Sequence, residues 1–186
     1  MERNVNIIRD VDGNQIVLIN DIRFKGKRKV NWEDVEDYLK QYVGEFYSIA
    51  ATGEIIYIGA ELPDEYTRSN YTAGLKGGSA KANAAQALPE MIEIATGKRF
   101  EENRKDKHSN NAKFGWYRYN SRFALPVYDE YGDVERYNIF HALMLMRHAK
   151  DGKLYLYDII EIKKNEKPFP IRRLYSVREP ASLFIF

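Results

Sequence analysis

The chain has 186 residues, enough for one domain with a substantial core and too short for two comfortable ones. Apolar residues make up 44 % and charged residues 30 %, which excludes a disordered chain, and the absence of cysteine excludes disulfides, thiolate metal sites and a cysteine nucleophile. The net charge is only +2, so no global field points to a polyanionic partner.

The distribution of charge says more. Residues 23–29, RFKGKRK, carry five positive charges and no negative one, and residues 98–122 carry eight Lys/Arg against three acids. Residues 33–45 run the other way, with five acids against Lys40. A fold that joins the two basic segments would make a polarised molecule. No run approaches the length of a membrane span and the first residues lack a long apolar stretch, so a cytoplasmic protein without membrane contact is expected.

In chain order, VNIIRDVDGNQIVLIND reads as a hairpin, because Gly13 accepts positive φ at the Asp12-Gly13 turn. VNWEDVEDYLKQYVGE reads as a helix capped by Asn31, with Trp32, Val35, Leu39 and Tyr42 on one face and Gly44 as its end. FYSIAATGEIIYIGA returns to strand, turning at Thr52-Gly53. Residues 61–81, with Pro63, Gly74, Gly77 and Gly78, read as the loosest part of the chain; the spacing around Gly77-Gly78 fits neither phosphate-loop pattern. AKANAAQALPEMIEIATG is helix-prone, bent or restarted at Pro89 and stopped by Gly97. The last third predicts an antiparallel meander: KFGWYRYNSRFALPVY, VERYNIFHALMLMRH and LYLYDIIEIKK, joined at DEYGD and AKDGK. The expected architecture is therefore α+β, an N-terminal β-hairpin and helices followed by a C-terminal antiparallel meander. Residues 1–164 form its single domain, and residues 165–186 are a tail or an added edge strand.

Period-two reading places Trp116, Arg118, Asn120 and Arg122 on one face of the first long strand and Tyr117, Tyr119, Ser121 and Phe123 on the other. Two arginine forks with a Trp stacking plane suit a phosphate-bearing RNA strand. The solvated side of a half-covered sheet has the same composition. Arg104, Lys107 and Lys113 upstream tilt the reading toward nucleic-acid binding. Of the three histidines, His108 stands in a polar, basic lead-in, where it is either an ordinary surface residue or a general base or acid. His141 alternates with Tyr137, Ile139, Leu143 and Leu145, which favours a core histidine over a catalytic one, and His148 is expected in solvent.

Metal-free RNA cleavage needs a base for the 2′-hydroxyl, cations for the phosphorane and an acid for the leaving oxygen. The candidates are His108 as base or acid, Arg118 and Arg122 as charge stabilisers, and His141 or a tyrosine, Tyr119 or Tyr157, as the second proton carrier. Asp158 and Glu161 fall on opposite strand faces by alternation and make a poor carboxylate pair. No metal and no cofactor is expected.

The stretch from NAAQALPEMIEIATGKRF through GWYRYNSRFALPVYDEYGD to ERYNIFHALMLMRHAKDGKLYLYDIIEIKK resembles the large polyvalent-protein-associated domains of phages and integrative elements, and related modules of the barnase–EndoU–colicin–RelE-like nuclease fold. The resemblance spans roughly residues 20–164. It implies helices ahead of an antiparallel meander, and nucleases that cut RNA without metal to leave cyclic phosphates. Lys107, His108, Arg118 and Arg122 stand where catalytic residues of that class often occur, but the chain lacks an obvious second basic catalyst at the start of the final strand, where Lys153 and Tyr155 stand instead. The leading expectation is a mobile-element protein that binds RNA, with cleavage as an open extension. The rival is a non-enzymatic module, such as an inhibitor of a host defence system, which would meet a host or immunity protein through segment 33–45 or the apolar C-terminus. A homodimer through residues 182–186 is a further alternative.

Overall fold

Hairpin chemistry starts the chain: β1 (Val5–Arg9) and β2 (Gln15–Ile19) pair antiparallel. Asp10 Oδ1 accepts from the N–H groups of Asp12 and Asn14, both at 2.9 Å, and Gly13 takes φ +82° to close the turn. These coordinates are a computed structural model that describes residues 3–26, 29–102, 112–165 and 167–170, with backbone alone for the last two.

Helix α1 (Trp32–Leu39) begins where expected, with Asn31 Oδ1 accepting from Glu33 N at 3.1 Å, and a 3₁₀ turn over Lys40–Tyr42 extends it. Val35, Leu39 and Tyr42 are buried. Strands β3 (Phe46–Ser48) and β4 (Ile55–Tyr57) follow as a second hairpin.

Residues 61–81 are more regular than their glycines and proline suggest, since they form α2 (Leu62–Arg68) and α3 (Asn70–Ala73). Pro63 sits in the first turn of α2, where a missing N–H costs nothing, and Tyr66 is fully buried. Gly78 has φ +73°, and a Cβ there would lie 2.8 Å from Trp32 Cζ2. Its glycine is thus required by packing against α1. Gly78→Ala is expected to lower stability by at least about 1–2 kcal/mol, the cost of a left-handed non-glycine residue, measured by urea unfolding. A neutral substitution would show that this contact is not needed.

The Ala-rich stretch restarts at Pro89 as expected: α4 (Ser79–Ala84), a 3₁₀ turn at Ala85–Ala87, then α5 (Leu88–Glu93). Gly97 does not stop that helix. It lies in β5 (Thr96–Glu101), a strand that the basic composition of the segment concealed.

The meander forms as read, with β6 (Trp116–Tyr128), β7 (Val134–His148) and β8 (Leu154–Lys164) in antiparallel register. Among the described residues nine strands make one sheet in the order β1-β2-β6-β7-β8-β4-β3. Strand β2 runs parallel to β6 and β4 parallel to β8; β5 shares the β6 edge, and β9 (Phe169–Pro170) pairs with β7 at Arg136 and Tyr137. The proposed dimer segment 182–186 lies outside the described residues.

The helices cover one face of the sheet. Val17, Tyr119, Phe123, Ala142, Met144 and Leu156 from the strands join Val35, Leu39, Tyr66, Leu88 and Met91 from the helices in one core, each large apolar side chain contributing about 1.5–3 kcal/mol. The opposite face carries a smaller cluster of Ile8, Ile16, Leu18, Ala124, Tyr137 and Ile139, in which no helix residue takes part. Plain alternation fails in β8, whose ladder with β7 shifts between Leu145 and Met146 and again between His141 and Leu143. Ile159 consequently joins the core opposite Met144 instead of sharing a face with Tyr157, and Glu161 takes φ +50°. Among the described residues no helix is long and apolar enough to cross a membrane.

Candidate nucleic-acid-binding site

The helix-free face of the meander gathers the chemistry. The β6–β7 ladder runs without a shift from Trp116 to Val127, so Trp116, Arg118, Asn120 and Arg122 do share one face, as alternation requires. Arg122 stands directly opposite His141, and His141 stands opposite Lys163 of β8. Opposed side chains start about 4.5–5.5 Å apart at Cβ. Three strands thus lay a row of nitrogen-bearing groups, Arg122–His141–Lys163, across the sheet.

Arg122 and His141 line a cleft of about 510 Å³. The β1–β2 turn (Asp10, Asp12, Gly13, Asn14) forms one wall, and Thr96 and Asn120 contribute further polar groups. Arg122 Nη1 donates to Asp10 Oδ2 at 2.9 Å. Burial pushes the Asp10 carboxyl up, but the Arg122 hydrogen bond, the two turn N–H groups and the Arg122 charge outweigh it and hold Asp10 below its usual range. Arg122 Nε is buried and has no hydrogen-bond partner among the described residues.

His141 is exposed, which corrects the expectation of a core histidine. Its apolar neighbours along β7 belong to the face without helices, where cover is local and does not extend to position 141. Trp116 is corrected in the other direction. It is only 9 % exposed, with its ring 4.9 Å from that of Tyr157, so it offers no open stacking plane.

Arg118 and Arg122 do not converge. Arg118 lies in a separate depression of about 440 Å³ with Arg99, Glu101, Leu143 and Glu161, its Nε 2.9 Å from Glu101 Oε2 but not aligned as a hydrogen bond. Four residues of strand put the two arginines about 13 Å apart along β6. The tyrosines proposed as proton carriers are also elsewhere. Burial, followed by a hydrogen bond to Glu54 at 2.8 Å, pushes the Tyr119 hydroxyl up, and burial followed by Glu65 does the same for Tyr157. Neither suits proton transfer at neutral pH. Lys113 is exposed with Nζ 5.7 Å above the Phe114 ring. His108, Lys107 and Arg104 lie outside the described residues. His148 is half-buried against Phe114, at 5.1 Å between ring centres, and not in open solvent.

Residues 27 and 28 of the first basic segment and 103–111 of the second lie outside the described residues. Arg23 lines a depression with Asp34 and Asp37 and stacks 4.9 Å over Tyr38, so this one cation of the first basic segment faces the acidic helix. Asp10 and Lys163 were missed by sequence reasoning. Asp10 looks like a turn residue and Lys163 like a frayed strand end, and only cross-strand register shows what they meet. Comparison with known protein families, with curated proteins and with solved structures finds no match for this chain.

Proposed function

We propose that this chain is an RNA-binding protein of the nuclease-like type carried by mobile elements, holding the phosphate backbone at the Arg122–His141–Lys163 row. The row itself carries the reading: a guanidinium, an imidazole and an ammonium on adjacent strands, the first two lining a polar cleft. Arg122 is positioned by Asp10 through Nη1, as a phosphate-binding arginine should be. Binding is favoured over cutting for a specific reason. Transesterification needs a base and an acid together; among the described residues His141 is the one imidazole in the cleft, and Asp10, its pKa held down by Arg122, is too weak a base to partner it.

The inhibitor reading has less support. Glu36 is paired with Arg68 at 2.7 Å and Asp37 with Lys40 at 3.0 Å, so two acids of α1 are already neutralised within the chain.

The test is fluorescence anisotropy with a labelled single-stranded RNA across a salt series. Wild type is expected to bind, with affinity falling as salt rises. Lys163→Ala, an exposed change, should weaken binding several-fold and flatten the salt dependence by about 0.7 in logarithmic slope, one phosphate contact. Affinity unchanged in both Lys163→Ala and Arg122→Lys would sink the proposal. In EDTA the RNA should remain intact; cyclic phosphate ends that disappear in His141→Ala would overturn the preference for binding over cutting.

A further inference from the structure

A second row crosses the same face, six residues further along the strands. Phe46 of β3 pairs with Tyr57 of β4, Tyr57 with Tyr155 of β8, Tyr155 with Arg147 of β7, and Arg147 with Trp116 of β6. Directly opposed residues of a sheet project from the same side, so five strands present one continuous line of rings and cations. The contacts bear out the register: ring centres are 5.8 Å apart for Phe46–Tyr57 and 5.8 Å for Tyr57–Tyr155, while the Arg147 guanidinium lies 4.2 Å above Tyr155 and Lys153 Nζ 4.7 Å above Tyr57.

We infer that the Phe46–Tyr57–Tyr155 line is a stacking platform for the bases of single-stranded RNA, so that the chain takes an unpaired strand rather than a duplex. The inference rests on the RNA-binding reading and gives it a substrate class. Phe46 is 58 % exposed on the edge strand, and Tyr57 and Tyr155 are half-exposed, so the rings can be reached. An aromatic ring left in water forgoes burial that a core position would supply, whereas every base has a π-face to cover it. A duplex keeps those faces stacked inside.

Charge complementarity selects the same ligand. Lys150 and Lys153 flank the outer rings against Asp151, while Arg147 and Glu61 neutralise each other. Both acids are engaged within the fold: Glu61 binds Arg147, and Asp151 accepts from the Tyr155 hydroxyl at 2.6 Å and from Lys153 N at 2.9 Å. The hydrogen bond to Asp151, followed by burial, raises Tyr155 to about 12. From Trp116 to Arg122, and from Arg147 to His141, the two rows are six residues or about 20 Å apart on one face. A strand that crosses both falls within the range of about 4–16 nucleotides typical of single-strand sites.

The experiment compares a labelled twelve-nucleotide oligouridine, the same length of abasic RNA, and a duplex of equal length, by anisotropy at one salt concentration. Wild type should prefer oligouridine to both others. Phe46→Ala and Tyr57→Ala, each checked for an unchanged thermal midpoint, should weaken oligouridine binding about 5- to 100-fold, the usual range for losing a stacked base, and leave abasic RNA unaffected. Lys163→Ala should weaken both single strands alike. If Lys163→Ala acts and the two aromatic changes do not, the platform is overturned while RNA binding stands, and the exposed β3 edge is left for a protein strand. If the aromatic changes weaken abasic RNA equally, stacking is overturned. If wild type binds none of the three, both readings fall together.

Discussion

Replacing Lys81 with Met while Asp158 remains should cost about 3–5 kcal/mol of stability, because it strands a carboxylate in the core. Lys81 Nζ lies 2.5 Å from Asp158 Oδ1 and 2.6 Å from Thr72 Oγ1, with the two charged side chains 0 % and 3 % exposed. The rings of Tyr66 and Tyr71 flank the ammonium at 4.7 and 5.0 Å. Burial pushes Lys81 down and Asp158 up, and their mutual attraction opposes both shifts. The pair ties α4 to β8 at the strand's irregular stretch, where Asp158 also accepts from Ile159 N at 2.8 Å. A double change, Lys81→Met with Asp158→Leu, should recover most of the loss, since similar-sized apolar groups remove the desolvation penalty as well as the attraction. Urea unfolding with an unchanged slope would read both effects. A Lys81→Met protein within 1 kcal/mol of wild type, on the scale of about 1 kcal/mol for an average substitution, would contradict the account.

Arg122→Ala is expected to lower stability by about 1.5–3 kcal/mol, the usual value of a hydrogen bond between charged groups, and to weaken RNA binding more than Lys163→Ala does. It removes the partner of a carboxylate whose side chain is only 8 % exposed, and with it the tie between the β1–β2 turn and β6. The effect has a pH signature. The folded-state pKa of Asp10 is depressed, so the unfolded chain takes up its proton first as pH falls. The contribution of Asp10 is therefore fully present above the unfolded carboxylate pKa, near 4, and is lost as pH drops through the lower folded value. Urea midpoints from pH 7 to 2.5 should show the gap between wild type and Arg122→Ala narrowing below about pH 4. A gap that stays constant would mean that Asp10 does not answer to Arg122.

Some of the candidate site could be read from residue order. The hairpin at Gly13, the cap at Asn31, the restart at Pro89 and the three long strands follow from turn chemistry and period-two alternation, which act over a few residues. The shared face of Arg118, Asn120 and Arg122 was legible for the same reason. What alternation could not supply is which face the helices cover. It also could not show that β8 gains residues opposite Leu143 and Met146.

The sequence alone determined the α+β class and the identity of the polar strand face, because local periodicity sets the direction of each side chain. The tertiary structure decided that His141 is exposed and Trp116 covered, that Arg118 and Arg122 serve separate depressions, and that Asp10 holds Arg122 across the sheet. It also assembled the rows Arg122–His141–Lys163 and Phe46–Tyr57–Tyr155 from strands up to about a hundred residues apart in the chain. The physical reason is strand register. Neighbours across a sheet are set by how long strands slide against one another until their apolar faces match the helix layer, a condition on the whole fold that no short window of sequence contains.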